Sequence, residues 1–199
     1  MCAPEIRGQR GLTLLEQIMF IVVIGIAAAG VVGVIGYATR ASTDPMIHKQ
    51  ALAIGEALLE EVLLMPFTYC DPDDAQASTA QSATVGATGC SAGGVEGSGA
   101  EGAAPFGPET RTSATTPFDN VNDYQGFTMA GGIVDIAGNA VPIPELATYT
   151  AAVSVAGRAL GGIGATESLL VTVTVTHPQL NPAIVLNGYR VRYAPNALP

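Results

Sequence analysis

The chain is short of positive charge. Eight Lys and Arg stand against seventeen Asp and Glu, leaving a formal net charge of -9. Phosphate backbones and anionic headgroups are bound by basic faces. Nucleic acid is therefore excluded as the main partner, and extended contact with anionic lipid is disfavoured. Histidine is scarce as well: His48 and His177 are the only two. Neither lies in a serine, cysteine or carboxylate pattern that suggests a triad or a metal centre, and both read as ordinary residues. Cysteine is limited to Cys2, Cys70 and Cys90, an odd count for an exported protein. The only nucleotide-like signature is Gly97-Ser98-Gly99-Ala100-Glu101-Gly102. It sits in a low-complexity run rather than between a strand and a helix, and no Walker lysine follows. No catalytic constellation and no cofactor are implied.

What the chain has is a long apolar run. Its 199 residues suffice for one compact domain plus an extended element. Residues 17–39 carry no charge. As a helix they span roughly 35 Å, enough to cross a hydrocarbon core of about 30 Å. Arg7 and Arg10 precede the run, opposed only by Glu5. The positive-inside rule places this end in the cytoplasm and the chain after Arg40 outside it. Three readings fit such a segment: a plain signal anchor, a prepilin, or a removable secretory signal cut near Ala27-Ala28-Ala29.

The residues before the run read Arg10-Gly11-Leu12-Thr13-Leu14-Leu15-Glu16. This resembles the prepilin signal of type IV pilins. The resemblance implies a peptidase cut between Gly11 and Leu12, N-methylation of Leu12, and Glu16 as the fifth mature residue. It also implies that Glu16 pairs with the terminal amine of a neighbouring subunit. Leu12 departs from the usual phenylalanine and Gln17 from the usual apolar residue. A carboxylate at the edge of an apolar helix is expensive in lipid, and such a pairing offsets that cost. The competing account makes Glu16 an interfacial carboxylate reaching headgroup water. Gly25, Gly30, Gly33 and Gly36 within the run suit close helix approach or ordinary membrane composition equally well.

Beyond the run, Ser42-Thr43-Asp44-Pro45 predicts an interruption, with Asp44 as N-cap and Pro45 opening a second helical section. Ile47, Ala51, Ile54, Leu58, Val62 and Met65 then recur at helical spacing, with Lys49, Glu56 and Glu60 opposite. Pro66 ends this section. The segments 50–54, 58–64, 66–74 and 118–127 together resemble a narrower group. These are the D-type minor pilins of the mannose-sensitive haemagglutinin (MSHA) pilus. Asp71, Asp73 and Asp74 are candidate calcium ligands, but the run lacks the glycine and distal glutamate of an EF-hand loop. The favoured reading is a turn in which Asp side chains cap backbone amides.

Residues 75–116 are rich in Ala, Gly, Ser and Thr, have no apolar period and read as a long surface loop. If a leader is removed, Cys2 leaves with it. A Cys70-Cys90 bridge would then close the first half of this loop, worth about 3 kcal/mol. Residues 133–143 predict a hairpin about Gly138-Asn139. Residues 149–155, 169–176 and 184–193 predict strands, the middle one alternating between valine and threonine from Val171 on.

The expected fold is α+β and pilin-like, a long N-terminal helix kinked near Pro45 and packed on a C-terminal antiparallel sheet. Its expected parts are a leader (1–11), a transmembrane assembly helix (12–40), an outer amphipathic helix (41–66), a disulfide-containing loop (67–117) and a sheet head (118–199). The resemblance implies a minor pilin in the bacterial inner membrane and then the pilus, with the head in the periplasm. Implied partners are other pilins, the prepilin peptidase, the assembly platform and membrane lipid. The alternatives are a type II secretion pseudopilin, a tip adhesin or a membrane-tethered enzyme. No aromatic cluster in the loop supports the adhesin.

Overall fold

Helix α1 spans Leu14–Leu64. Thr13 starts it: the Glu16 N–H donates to Thr13 Oγ1 at 3.4 Å, and the Gln17 N–H donates to the Thr13 carbonyl at 3.2 Å. A threonine N-cap of this kind satisfies an amide that has no partner inside the helix. The computed structural model describes residues 13–99, 106–136 and 141–198, with the side chains of 38–44 excepted. The predicted interruption at 42–45 is not there, because Pro45 lies inside α1. Proline removes one i→i−4 hydrogen bond and crowds the preceding turn, but helix is formed on both sides of it. The expected N-cap, Asp44, has a side chain outside the described residues.

The chain forms two compact units, Met1–Pro45 and Met46–Pro199. In the first, every residue from Thr13 to Tyr37 is exposed. Leu14–Tyr37 is a helical stretch of 24 residues whose most apolar 18 residues have a mean hydropathy of 2.9, long and apolar enough to cross a membrane.

The second unit joins the outer turns of α1 to the loop and the sheet around one core. Ile47, Ala51, Leu58 and Val62 are buried, and Ile54 and Met65 pack against the same core, as the periodicity predicts. Gly55 is also buried on this face. Pro66 follows the last turn, where the Met65 N–H donates to the Val62 carbonyl at 3.2 Å.

Four antiparallel strands, β1 (Thr128–Met129), β2 (Thr150–Gly157), β3 (Ser168–Thr176) and β4 (Ile184–Val191), lie side by side in chain order. Leu169, Val171, Val173 and Val175 of β3 are fully buried, as are Ala151, Val153 and Val155 of β2. The intervening threonines of β3 face the wetter side, where Thr172 Oγ1 donates to Asn187 Oδ1 at 2.8 Å. This alternation is what a sheet with one covered face requires. The hairpin predicted over 133–143 shrinks to one bridge, Val134 to Pro142. Pro142 has no N–H to give a ladder, and Pro144 opens a 3-10 turn at Pro144–Leu146, so pairing cannot extend. Gly138 and Asn139 lie outside the described residues.

Helix and sheet exchange small for large side chains where they meet. A Cβ on Gly188 of β4 would lie 2.8 Å from Leu63 Cδ1 and 3.2 Å from Leu59 Cδ1. Conversely, a Cβ on Gly55 would lie 3.0 Å from Leu186 Cδ1. Each glycine receives a leucine from the facing element, which fills the interface without a void.

One polar staple crosses this unit. The Arg111 Nε and Nη2 donate to Glu61 Oε1 and Oε2 at 2.6 and 2.7 Å, and Arg111 Nη1 donates to the Val134 carbonyl at 3.2 Å. The Tyr124 hydroxyl adds a third bond to Glu61 Oε1 at 2.7 Å. The Arg111 and Glu61 side chains are only 7% and 11% exposed. Hydrogen bonding to Glu61 holds the Arg111 guanidinium above its usual value, and burial with the Glu61 bond pushes the Tyr124 phenol up. The staple ties α1 to the segment carrying Glu109 and to the turn carrying Asp123.

Candidate functional sites: an exposed helix and a buried acidic cluster

Gly11 and Leu12, the expected cleavage junction, lie outside the described residues. Glu16 is exposed on the first turn of α1. The positive end of the helix dipole favours a carboxylate there. That carboxylate has no partner among the described residues. A Cβ added at Gly25, Gly30, Gly33 or Gly36 would meet nothing within 4 Å, so no packing inside the chain calls for glycine at these positions.

Cys70 and Cys90 are joined as expected, with S–S 2.08 Å and Cα–Cα 5.4 Å. The loop they close is more than surface. Tyr69, Ala77 and Ala80 pack around the disulfide as a small second core. Asp74 organises this region, accepting from the Gln76 N–H at 2.9 Å, the Ser91 N–H at 2.7 Å and the Ser91 hydroxyl at 2.9 Å. Burial pulls its carboxyl upward, but these three bonds outweigh that and hold it below the usual carboxylate range. Cys70, Asp74 and Cys90 lie within metal-ligand distance of one another. Disulfide sulfurs are not thiolates, however, and Asp74 is already engaged. Asp74 therefore caps the loop, as the turn reading of the acidic run expects.

Asp71 also caps a backbone amide, its Oδ1 accepting from the Asp73 N–H, but its other oxygen faces a second set of acids. The chain at Tyr69–Asp71 runs beside Gly94–Glu96, with the Asp71 N–H donating to the Gly94 carbonyl and the Glu96 N–H to the Tyr69 carbonyl, both at 3.0 Å. This brings Glu96 to the rear of the cluster. Phe118–Phe127 supplies the opposite wall. There Asn120 and Asp123 cap a 3-10 turn, Val121–Tyr124, reciprocally. Asp123 Oδ2 accepts from the Asp119 and Asn120 N–H groups at 2.9 and 2.5 Å. The Phe118 ring packs on Tyr124 at 4.7 Å and on Phe127 at 5.7 Å, which holds the wall in place.

Two groups of carboxylates result. Asp71, Asp73 and Asp119 each bring an oxygen within 4.8 Å of the others, and so do Glu109, Asp119 and Asp123. Asp119 belongs to both. Burial, reinforced by the neighbouring carboxylates, pushes Glu96 and Glu109 up to about 8 and Asp119 up to about 7. Burial likewise pushes Asp123 up to about 6, against the hydrogen bonds it accepts. No ion pair joins any of these acids to a lysine or arginine among the described residues. An opening of about 220 Å³ gives onto Glu109 and Asp123.

A larger groove of about 660 Å³ runs along Ala53–Leu64 of α1 and Met65 beyond it, walled mainly by apolar side chains, including Met129, Ile133 and Ile143. Its buried charges, Glu61 and Arg111, are paired with each other. His48 is exposed. His177 closes the turn after β3, accepting from the Gln179 N–H at Nδ1 (3.2 Å) and meeting Thr148 Oγ1 through Nε2 (3.0 Å). The Asn120-to-Asp123 spacing was the one local clue to the second wall of the acidic cluster; Glu109 carried none. No protein-family model matches the chain, no curated protein is similar to it, and no solved structure matches it.

Proposed function

We propose that this chain is a minor type IV pilin, a structural subunit that anchors in the bacterial inner membrane and assembles through its N-terminal helix. The observation that carries this reading is the apolar helix Leu14–Tyr37, exposed along its length and opened by Thr13 and Glu16. It follows directly on the Arg10-Gly11-Leu12 junction, the pattern a prepilin peptidase would cut. An exposed apolar face of this size needs lipid, other helices or both. The four glycines with open space around them suit helix-to-helix approach in a filament core. The disulfide suits a head that matures outside the cytosol. An α+β head on a long helix is the layout such subunits use. Within the family, the segments 50–54, 58–64, 66–74 and 118–127 favour the D-type minor pilin of an MSHA-type pilus. The work of the subunit would be to help initiate or tune the filament, with neighbouring pilins and the assembly platform as partners.

The test is the mature N-terminus. Intact-mass and N-terminal peptide analysis of protein taken from native membranes should show a chain beginning at N-methylated Leu12. A chain beginning at Met1, or after Ala29, rules the reading out.

A further inference from the structure

The acidic cluster holds a set of atoms that cannot satisfy one another. Asp71 is 1% exposed; its Oδ1 accepts from the Asp73 N–H at 2.6 Å, while its buried Oδ2 has no partner. Glu96 is 3% exposed with Oε2 unpartnered, and Glu109 Oε2 is unpartnered too. Ionised, all three are acceptors. Buried acceptors without donors are uncommon in folded proteins, and each calls for a water, a proton or an ion. Here they crowd around carboxylates that already repel one another, so the missing species is a positive charge.

We infer that the group Asp71, Asp73 and Asp119 is a binding site for one hard divalent cation of the calcium class, with Asp71 Oδ2 as its buried, unpartnered ligand and with Glu109 and Asp123 as further acids beside it. Calcium takes six to eight oxygens at about 2.3–2.6 Å, so ligand oxygens around one ion lie up to about 5 Å apart. The 4.8 Å limit within each carboxylate group fits that spread. The donor set is all oxygen, which disfavours zinc and copper. It is also irregular, drawn from two chain segments and partly buried, which suits calcium better than the strict octahedron of magnesium. The inference rests on the head alone and does not depend on the assembly role.

The test uses the full chain in detergent, stripped with EDTA and held at about 0.15 M NaCl to screen the acidic surface. Calcium is then titrated to millimolar concentration while unfolding is followed. At a hundredfold excess over Kd, the midpoint Tm should rise by about 5–10 °C. Asp73→Asn should abolish most of that rise. Asp73 is exposed, so the variant should fold even if Asp119→Asn does not. Glu145→Gln, an exposed acid on the Pro144–Leu146 turn, should respond as the unaltered chain does. No rise with calcium would overturn the inference. So would an equal rise with magnesium at the same concentration, or an undiminished rise in Asp73→Asn, since either would mean general screening of an acidic protein.

Discussion

Removing one end of the Glu61–Arg111 staple should destabilise the head more than any exposed substitution. Arg111→Ala leaves a carboxylate that is 11% exposed and keeps only the Tyr124 hydroxyl of its three donors. Glu61→Ala leaves a guanidinium that is 7% exposed, with carbonyls for partners. Breaking a buried pair in this way typically costs about 3–5 kcal/mol. For a domain of this size, about 2–4 °C is lost per kcal/mol, so each single variant should lower Tm by about 6–20 °C. The double variant should fall short of the sum by about 2–3 kcal/mol, the worth of the paired charged hydrogen bonds. Replacing both residues by apolar ones, Glu61→Leu with Arg111→Met, should recover most of the loss, because no charge is then left buried. The chain has six tyrosines and no tryptophan, so tyrosine fluorescence during urea unfolding of the detergent-solubilised chain is a direct readout. Single losses below about 1 kcal/mol, or additivity within about 0.5 kcal/mol, would show that the two side chains are not energetically coupled.

Two further outcomes are expected. Glu16→Ala should leave N-terminal processing and membrane insertion intact but reduce recovery of the subunit in sheared filaments; normal incorporation would make Glu16 an interfacial carboxylate only. Cys70→Ser with Cys90→Ser should lower stability by about 3 kcal/mol and expose residues 71–89 to limited proteolysis, and an unchanged digestion pattern would show that the second core holds this loop without the bridge.

The parts of this fold that could be read from the sequence are those written in local periodicity. The stripe from Ile47 to Met65 and the Val-Thr alternation of β3 each state which face is covered, because a helix and a strand repeat within a few residues. The disulfide followed from counting only on the expectation that Cys2 leaves with a leader. Pro45 was compatible with a kink or with a break, and the helix runs through it because neighbouring turns carry it past the proline. The acidic cluster was half legible. Asp71 and Asp73 stood out beside Asp74, yet Asp74 turns back to cap its own loop, while Glu109, Asp119 and Asp123 come from a distant segment. No local pattern records which acids a fold will gather. Gly55 and Gly188 were equally silent, since a residue without a side chain leaves no trace in a hydrophobic pattern.

The exchange of leucine for glycine across the helix–sheet contact has a mechanical consequence. Leu59 and Leu63 sit over Gly188, and Leu186 sits over Gly55. Sliding the helix along the strands by one turn, about 5.4 Å, would carry side chains onto positions with no room for them and strand the glycines opposite nothing. Tension applied along this helix is therefore borne as shear across interlocked teeth, engaged together, rather than peeled away one contact at a time. A pull on the outer turns of this helix would therefore reach the sheet as a single load.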